Sequence, residues 1–169
     1  MTAVRLRGGV PGWVLRAAVG VVGLAVAAVL YAEGVSFTPL ALYVALVGIT
    51  VAIPASAAVL LLIGYPAVAM AVQGGAPVRP GVLVLVALLH LLHLLCAYAA
   101  LIPTHARVHL DALRAPALRF LLVQAGVLLL AVLVLLLPGG RTDAVVEVLG
   151  VAGAVGLVAG AVALLRRRG

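Results

Sequence analysis

The sequence predicts an all-α integral membrane protein, a polytopic bundle of about six transmembrane helices forming a single domain over residues 1–169. Three observations predict this class: 67% of the residues are hydrophobic, only 9% are charged, and the mean hydropathy is +1.40. A soluble domain is about half apolar and about a quarter charged, so this chain has too few polar residues to cover a soluble surface. Its apolar stretches are long and continuous, which favours helices over the alternating strands of a membrane barrel.

The apolar stretches follow one another with short connections. The predicted spans are 14–32, 39–53, 56–73, 81–102, 119–137 and 144–165. The first begins like a signal peptide, but its apolar run exceeds the usual length of about 7–15 residues, so we expect an uncleaved helix. The region 37–73 is ambiguous because Pro54 interrupts it. It forms either a hairpin of two short helices or one span with a re-entrant or interfacial segment, which reduces the total to four or five spans.

The distribution of arginine predicts the orientation. With six spans and a cytoplasmic N-terminus, nine of the eleven basic residues face the cytoplasm, as the positive-inside rule requires. We therefore expect both termini in the cytoplasm, anionic lipids bound at that face, and no nucleic acid partner. The composition, rich in Arg, Ala, Val and Leu, is typical of a GC-rich bacterial genome and predicts the bacterial cytoplasmic membrane. On the outer side, Glu33 is expected to be a solvated helix end.

Polar side chains inside the apolar stretches are the first functional candidates, because a polar group in hydrocarbon is costly. His90 and His93 lie one turn apart near the middle of the fourth span, followed by Cys96. With Gln124 of the fifth span they form the candidate intramembrane site. We expect the small and polar face of the fourth span to point into the bundle and its leucine face into lipid. Gln124 can pair with Thr50 or with a histidine of another helix.

A pair of imidazoles can ligate a metal, hold a haem iron or relay protons. The sequence offers neither a carboxylate at mid-membrane nor a histidine on a second span to complete such a site. No cofactor is therefore predicted, with haem or a divalent metal at His90 and His93 as the alternatives. Hydrogen bonding between helices is the favoured interpretation of this pair.

The connection 103–119 is the second candidate site, on the cytoplasmic side. Its candidate residues are His105, Arg107, His109, Asp111 and Arg114. The two histidines and the charged residues lie at the i,i+3 and i,i+4 spacings that bring side chains together on one helix face. Thr104 is a suitable cap for such a helix. The pattern predicts a charged surface helix, with a divalent-metal site at the histidines or anionic-lipid binding at the arginines as alternatives.

Small residues recur in two spans, at Ala152, Gly156 and Gly160 and, less regularly, at Gly20 and Gly23. Small residues at such spacing let two helices approach closely. These faces serve either packing within the bundle or an interface with a second copy or a partner subunit.

The sequence contains no motif for nucleophilic catalysis, phosphate binding or zinc hydrolysis, so we expect a protein that is not an enzyme. The favoured function is an accessory or structural subunit of a membrane assembly, as a homo-oligomer or beside a partner membrane subunit. The first alternative is a small oligomeric transporter or channel that uses the His90 and His93 face. The second alternative is a haem or quinone redox subunit of the membrane.

Overall fold

The structure, a computed structural model, describes residues 9–74 and 79–136 together with Ala152. In chain order its elements are β1 (Val10–Pro11), α1 (Trp13–Ala32), α2 (Phe37–Ala52), α3 (Ala58–Gln73), α4 (Pro80–Leu101), β2 (Arg107–Val108) and α5 (Leu110–Leu136). The predicted sixth span, 144–165, lies outside the described residues except for Ala152.

Three of the helices, α1, α4 and α5, are long and apolar enough to cross a membrane. They contain 20, 22 and 27 residues, or about 30–40 Å at 1.5 Å per residue, and the hydrocarbon layer is about 30 Å thick. Exposed aromatic side chains mark the two ends of α1, Trp13 at its first residue and Tyr31 near its last. Such residues favour the membrane–water boundary. The fold is that of a helical membrane protein.

The region interrupted by Pro54 forms two helices, α2 and α3, each of 16 residues and apolar. The turn between them exists because proline has no N–H to donate and disfavours helix at the residue before it, Ile53. The rings of Tyr43 and Tyr65 pack together with their centroids 5.5 Å apart. The structure therefore has two short helices joined by a turn in the region 37–73, and whether both cross the membrane stays a prediction.

Helix α1 packs against both α2 and α4 and lies at the centre of the first four helices. The large side chains that fill the core between these helices are Leu15, Val19, Val26, Leu30, Tyr43, Val47, Leu62, Leu85 and Leu92. Those of α1 are separated by four, seven and four residues, so they occupy one helix face. Since lipid is as apolar as these side chains, close packing is what stabilises the core.

Helix α1 packs closely on α2 at Gly23. A Cβ atom at this position would lie 2.8 Å from both methyl groups of Val47. Gly20 faces Val51 of the same helix, where a Cβ would make an ordinary contact at 3.4 Å. The two small residues of the first span therefore pack inside the bundle, against a neighbouring helix of the same chain.

A short antiparallel sheet of β1 and β2 joins the start of α1 to the connection between α4 and α5. The N–H of Gly12 donates to the carbonyl of Ala106 at 2.8 Å, and the N–H of Trp13 donates to the carbonyl of Thr104 at 3.2 Å. The first N–H groups of a helix have no acceptor within it, and here the connection supplies them. We call this contact, between residues 10–13 and 104–108, the terminal clip.

Helix α5 begins at Leu110, whereas the sequence predicted a start at residue 119. Most of the expected connection 103–119 is therefore helical, even though Pro116 lies inside the helix. Alanine and leucine, both strong helix formers, surround this proline. Asp111 lies in the first turn, where a negative charge stabilises the N-terminus of a helix. These contributions outweigh the one hydrogen bond that Pro116 cannot donate.

Candidate functional site

His90 and Gln124 meet across α4 and α5. Gln124 Nε2 lies 3.0 Å from His90 Nδ1, and the ring of Phe120 packs on the imidazole with the centroids 5.0 Å apart. An amide nitrogen can only donate, so Nδ1 is the acceptor in this contact. Of the two partners expected for Gln124, the structure supplies a histidine and not Thr50.

The predicted orientation of α4 is wrong. Its leucine face points into the bundle, where Leu92 is completely buried beside the core, and His93 is exposed. Helix α4 packs mainly against α1, and the face that it buries carries Leu85, Leu92, Cys96 and Ala99. Periodicity identifies two faces of a helix but not the neighbour that each face meets.

The predicted intramembrane site is consequently divided in two. His90 and Gln124 form one part between α4 and α5. His93 and Cys96 form the other, on the wall of a pocket of about 170 Å³ between α4 and the turn that joins α2 to α3. Ser56, which the sequence analysis did not single out, lies on the opposite wall.

Metal binding was the alternative for the histidines. Within residues 9–74 and 79–136, no group of three His, Cys, Asp or Glu side chains lies close enough to hold a metal ion. Cys96 is a free, buried thiol. The two intramembrane histidines have different neighbours, since only His90 contacts α5 through Gln124.

The second candidate site is not a surface helix, which corrects the prediction for residues 104–109. Arg107 belongs to β2, and Thr104 does not cap a helix but lies in a turn, with its hydroxyl 3.3 Å from Nδ1 of His105. A turn at Thr104 and His105 is followed by the strand pairing of Arg107 and Val108 with β1, so the segment is not a helix and the spacing of His105 and His109 does not bring them onto one face. Asp111 and Arg114 are both exposed on α5.

The ion pair that the structure shows in its described part joins Glu33 to Arg79, at the opposite end of α1 from the terminal clip. Arg79 Nε lies 2.9 Å from Glu33 Oε2, and the two side chains are only 25% and 19% exposed. Arg79 also donates to the carbonyl of Gly74 at 3.0 Å. A Cβ at Gly81 would overlap the Glu33 carboxylate. Glu33 is therefore a packed ion-pair partner, which corrects its prediction as a solvated helix end.

Two further polar side chains connect helix ends. Arg16 of α1 donates to the carbonyl of Ala52 at 3.1 Å, and a cation at the C-terminus of a helix such as α2 interacts favourably with the helix dipole. Gln73 of α3 donates to the carbonyl of Gly34 at 3.1 Å. These partners lie 36 and 39 residues apart in the chain, so short-range spacing rules do not detect them.

The remaining predicted residues belong to the last span. Gly156 and Gly160 lie outside the described residues, and Ala152 is an exposed helical residue.

Together these observations describe a helical protein with three helices that could span a membrane, in which six polar side chains connect one element to another. Comparison with protein-family models, with curated proteins and with solved structures gave no match.

Proposed function

We propose that this chain is a non-enzymatic accessory or structural subunit of a membrane assembly, in the bacterial cytoplasmic membrane with both termini in the cytoplasm. One observation supports the proposal most directly: four contacts made by polar side chains connect one element of the described residues to another. These contacts are Arg16 with Ala52, Glu33 with Arg79, Gln73 with Gly34, and His90 with Gln124.

The positions of these contacts explain why they favour a structural role. Three of them lie at the ends of helices, and the fourth, between His90 and Gln124, lies between α4 and α5, so they do not converge on one substrate-sized space. Each instead fixes the position of one helix relative to another. A bundle held in this way offers a partner subunit a preformed surface, which lowers the entropy cost of association.

Affinity purification in a mild detergent from the native host, followed by mass measurement of the intact complex, tests the proposal. We expect stoichiometric partner subunits. A control wash in a harsher detergent should remove these partners, so that only the tagged chain is recovered. If the mild preparation contains only the monomer, the proposed function is wrong.

A small oligomeric transporter or channel is the second candidate, and the exposure of His93 favours it. In an oligomer, this side chain would lie where neighbouring copies meet, beside the pocket under the hairpin turn. His93→Ala should then abolish transport, and His90→Ala, which removes an imidazole engaged with Gln124, serves as the control. Unchanged transport in cells that carry His93→Ala would eliminate this candidate.

The haem and quinone redox alternative makes a spectroscopic prediction. Haem held by His90 or His93 gives a Soret absorption band in the purified protein, and His93→Ala or His90→Ala identifies the ligand by loss of that band. A preparation from the native host without a Soret band would eliminate the haem version.

We also propose that Arg107 and Arg114 bind anionic lipids at the cytoplasmic face. Both side chains are exposed, and they lie near the terminal clip. A basic side chain near an anionic membrane surface contributes about 1 kcal/mol. Such binding would help to hold a structural subunit in a fixed position at the membrane surface.

A further inference from the structure

A narrow crevice lies between α4 and α5, in the half of the bundle that carries the terminal clip. It has a volume of about 180 Å³, and its walls come from three helices, with Leu15 of α1 and further residues of α4 and α5. These walls are apolar apart from the hydroxyl of Tyr98. The α4 residues of the crevice run from Leu91 to Tyr98, so it extends about 10 Å along the helix at about 1.5 Å per residue.

The dimensions of the crevice decide between a hydrocarbon chain and a helix as its occupant. A helix with its side chains is about 10–12 Å across, so a 10 Å length of helix fills roughly 800 Å³ or more. A helix of a partner subunit could therefore insert no more than a side chain. A cavity of about 150 Å³ holds one benzene molecule, so this crevice has room for about six carbons of a single chain.

Helix α5 makes few contacts of its own with the rest of the bundle. Among the side chains of α5 that the structure describes, Ala131 is the buried one. The hydrogen bond of Gln124 with His90, and the packing of Phe120 on the same imidazole, hold α5 at the deep end of the crevice. Helices in lipid are held together by close packing. A hydrocarbon chain in the crevice would supply this packing over the next 10 Å.

Two arginines of α5 flank the crevice. The α5 residues that line it, from Leu113 to Phe120, occupy one face of the helix. At about 100° per residue, Arg114 and Arg119 lie about 110° to either side of the middle of this face. Both side chains are exposed. A positive charge therefore lies on each side of an apolar crevice, which favours an occupant that is apolar at one end and anionic at the other.

The depth of Arg119 supports the same conclusion. It lies nine residues from the start of α5 at Leu110, or about 14 Å along the helix, and directly precedes a residue that lines the crevice. A charged side chain inside a membrane needs a counter-ion or must extend towards the boundary. Helical side chains tilt towards the N-terminus, which for α5 is the end beside the terminal clip. We therefore expect both guanidinium groups to extend towards the phosphates of the nearer leaflet.

We propose that the crevice binds one acyl chain of an anionic phospholipid, whose phosphate contacts Arg114 and Arg119. The chain completes the packing of α5 against α4, and the phosphate is the counter-ion of the two arginines. This inference deepens the anionic-lipid binding proposed for Arg107 and Arg114, and it rests on α4 and α5 crossing the membrane. It does not depend on whether the chain is an accessory subunit.

The test is a titration of the delipidated full-length protein, in a neutral detergent, with phosphatidylglycerol that carries two oleoyl chains. A ligand that binds only the folded state raises the thermal unfolding midpoint in a saturable way. Phosphatidylcholine with the same chains and glycerol phosphate without chains should not produce this shift. Arg114→Gln and Arg119→Gln should each weaken binding about fivefold, which corresponds to about 1 kcal/mol for each basic side chain. Arg107→Gln is the control at an exposed arginine outside the crevice, and it should weaken binding much less.

A second pair of variants tests the crevice without changing a charge. Ala117→Phe places a ring in the crevice from an exposed position of its wall. It should abolish the lipid-induced shift and leave the lipid-free midpoint no lower than that of the wild type, because the ring occupies the space of the chain. Ala115→Phe, which is exposed on α5 outside the crevice, is the matched control and should keep the shift.

Two outcomes separate this inference from the lipid binding proposed above. If phosphatidylglycerol shifts Ala117→Phe as much as the wild type, or if Arg107→Gln weakens binding as much as Arg119→Gln, surface charge alone binds the lipid and the crevice site is overturned. If phosphatidylcholine shifts the midpoint as much as phosphatidylglycerol, both the crevice site and the binding of anionic lipids by the arginines are overturned.

Discussion

Gly23 offers the sharpest test of how α1 and α2 pack. Gly23→Ala adds a methyl group whose carbon would lie 2.8 Å from two methyl groups of Val47. Val47 is only 4% exposed, and a β-branched side chain has little rotational freedom in a helix, so it cannot turn away. Overpacking of this kind costs about 1–3 kcal/mol, whereas replacing glycine by alanine inside a helix contributes about 1 kcal/mol in the favourable direction.

Gly48→Ala on α2 is the matched control, because a Cβ at Gly48 would meet nothing within 4 Å. This control should stabilise the protein by about 1 kcal/mol through helix propensity alone. Gly23→Ala should therefore be less stable than Gly48→Ala by about 1–3 kcal/mol, which is the cost of the overlap. Unfolding by titration with a denaturing detergent, followed by circular dichroism, measures both free energies.

The double variant Gly23→Ala/Val47→Ala completes the experiment. Removing the two methyl groups should make the new alanine harmless, so the two substitutions should couple favourably by about 1–2 kcal/mol in a double-mutant cycle. If Gly23→Ala is as stable as Gly48→Ala, or if the cycle shows no coupling, the packing of α1 on α2 through Gly23 is wrong.

Three further substitutions test the polar contacts and the terminal clip. Glu33→Ala leaves Arg79 without its counter-ion in a mostly buried position and should destabilise the protein by about 1–2 kcal/mol, measured by thermal unfolding. Adding Arg79→Ala to Glu33→Ala should cause little further loss of stability. If the two losses are additive, the ion pair does not contribute to stability. Gln124→Leu should lower the free energy of unfolding by about 0.5–1.5 kcal/mol and should change the ¹⁵N chemical shift of His90 Nδ1. An unchanged shift would show that the two side chains do not form a hydrogen bond. Gly12→Ala places a Cβ against the carbonyl of Pro103, which should open the terminal clip. The rate of hydrogen exchange at the amide of residue 12 should then rise by at least tenfold. An unchanged exchange rate would show that the clip does not depend on glycine at this position.

The helices themselves follow from the sequence because their physical cause is local. The predicted spans 14–32 and 81–102 agree within a residue with α1 and α4, since a long apolar run has one stable conformation in a membrane. Pro54 likewise divides α2 from α3 through its own geometry. The start of α5 was misplaced because the connection was assigned from its polar residues, although alanine and leucine there favour helix.

The site residues were harder to predict because their contacts depend on the whole bundle. The histidine that pairs with Gln124 was one of two expected partners, and only the packing of α4 against α5 decides between them. The outward position of His93 depends on which face of α4 packs against α1, a helix that lies far away in the chain. Ser56 entered no motif, and nothing in its neighbouring residues reveals that its hydroxyl is buried without a partner among the described residues.

The terminal clip has a consequence for the order in which the chain assembles. The acceptors for Gly12 and Trp13 are carbonyls about ninety residues further along the chain, which a ribosome synthesising 5–20 residues per second delivers roughly 5–20 s after α1 has emerged. The hairpin of α1 and α2 needs no such wait, since its residues are close in sequence. The clip can close only after α4 and the connection that follows it have been synthesised, and until then the first amides of α1 have no acceptor from this connection.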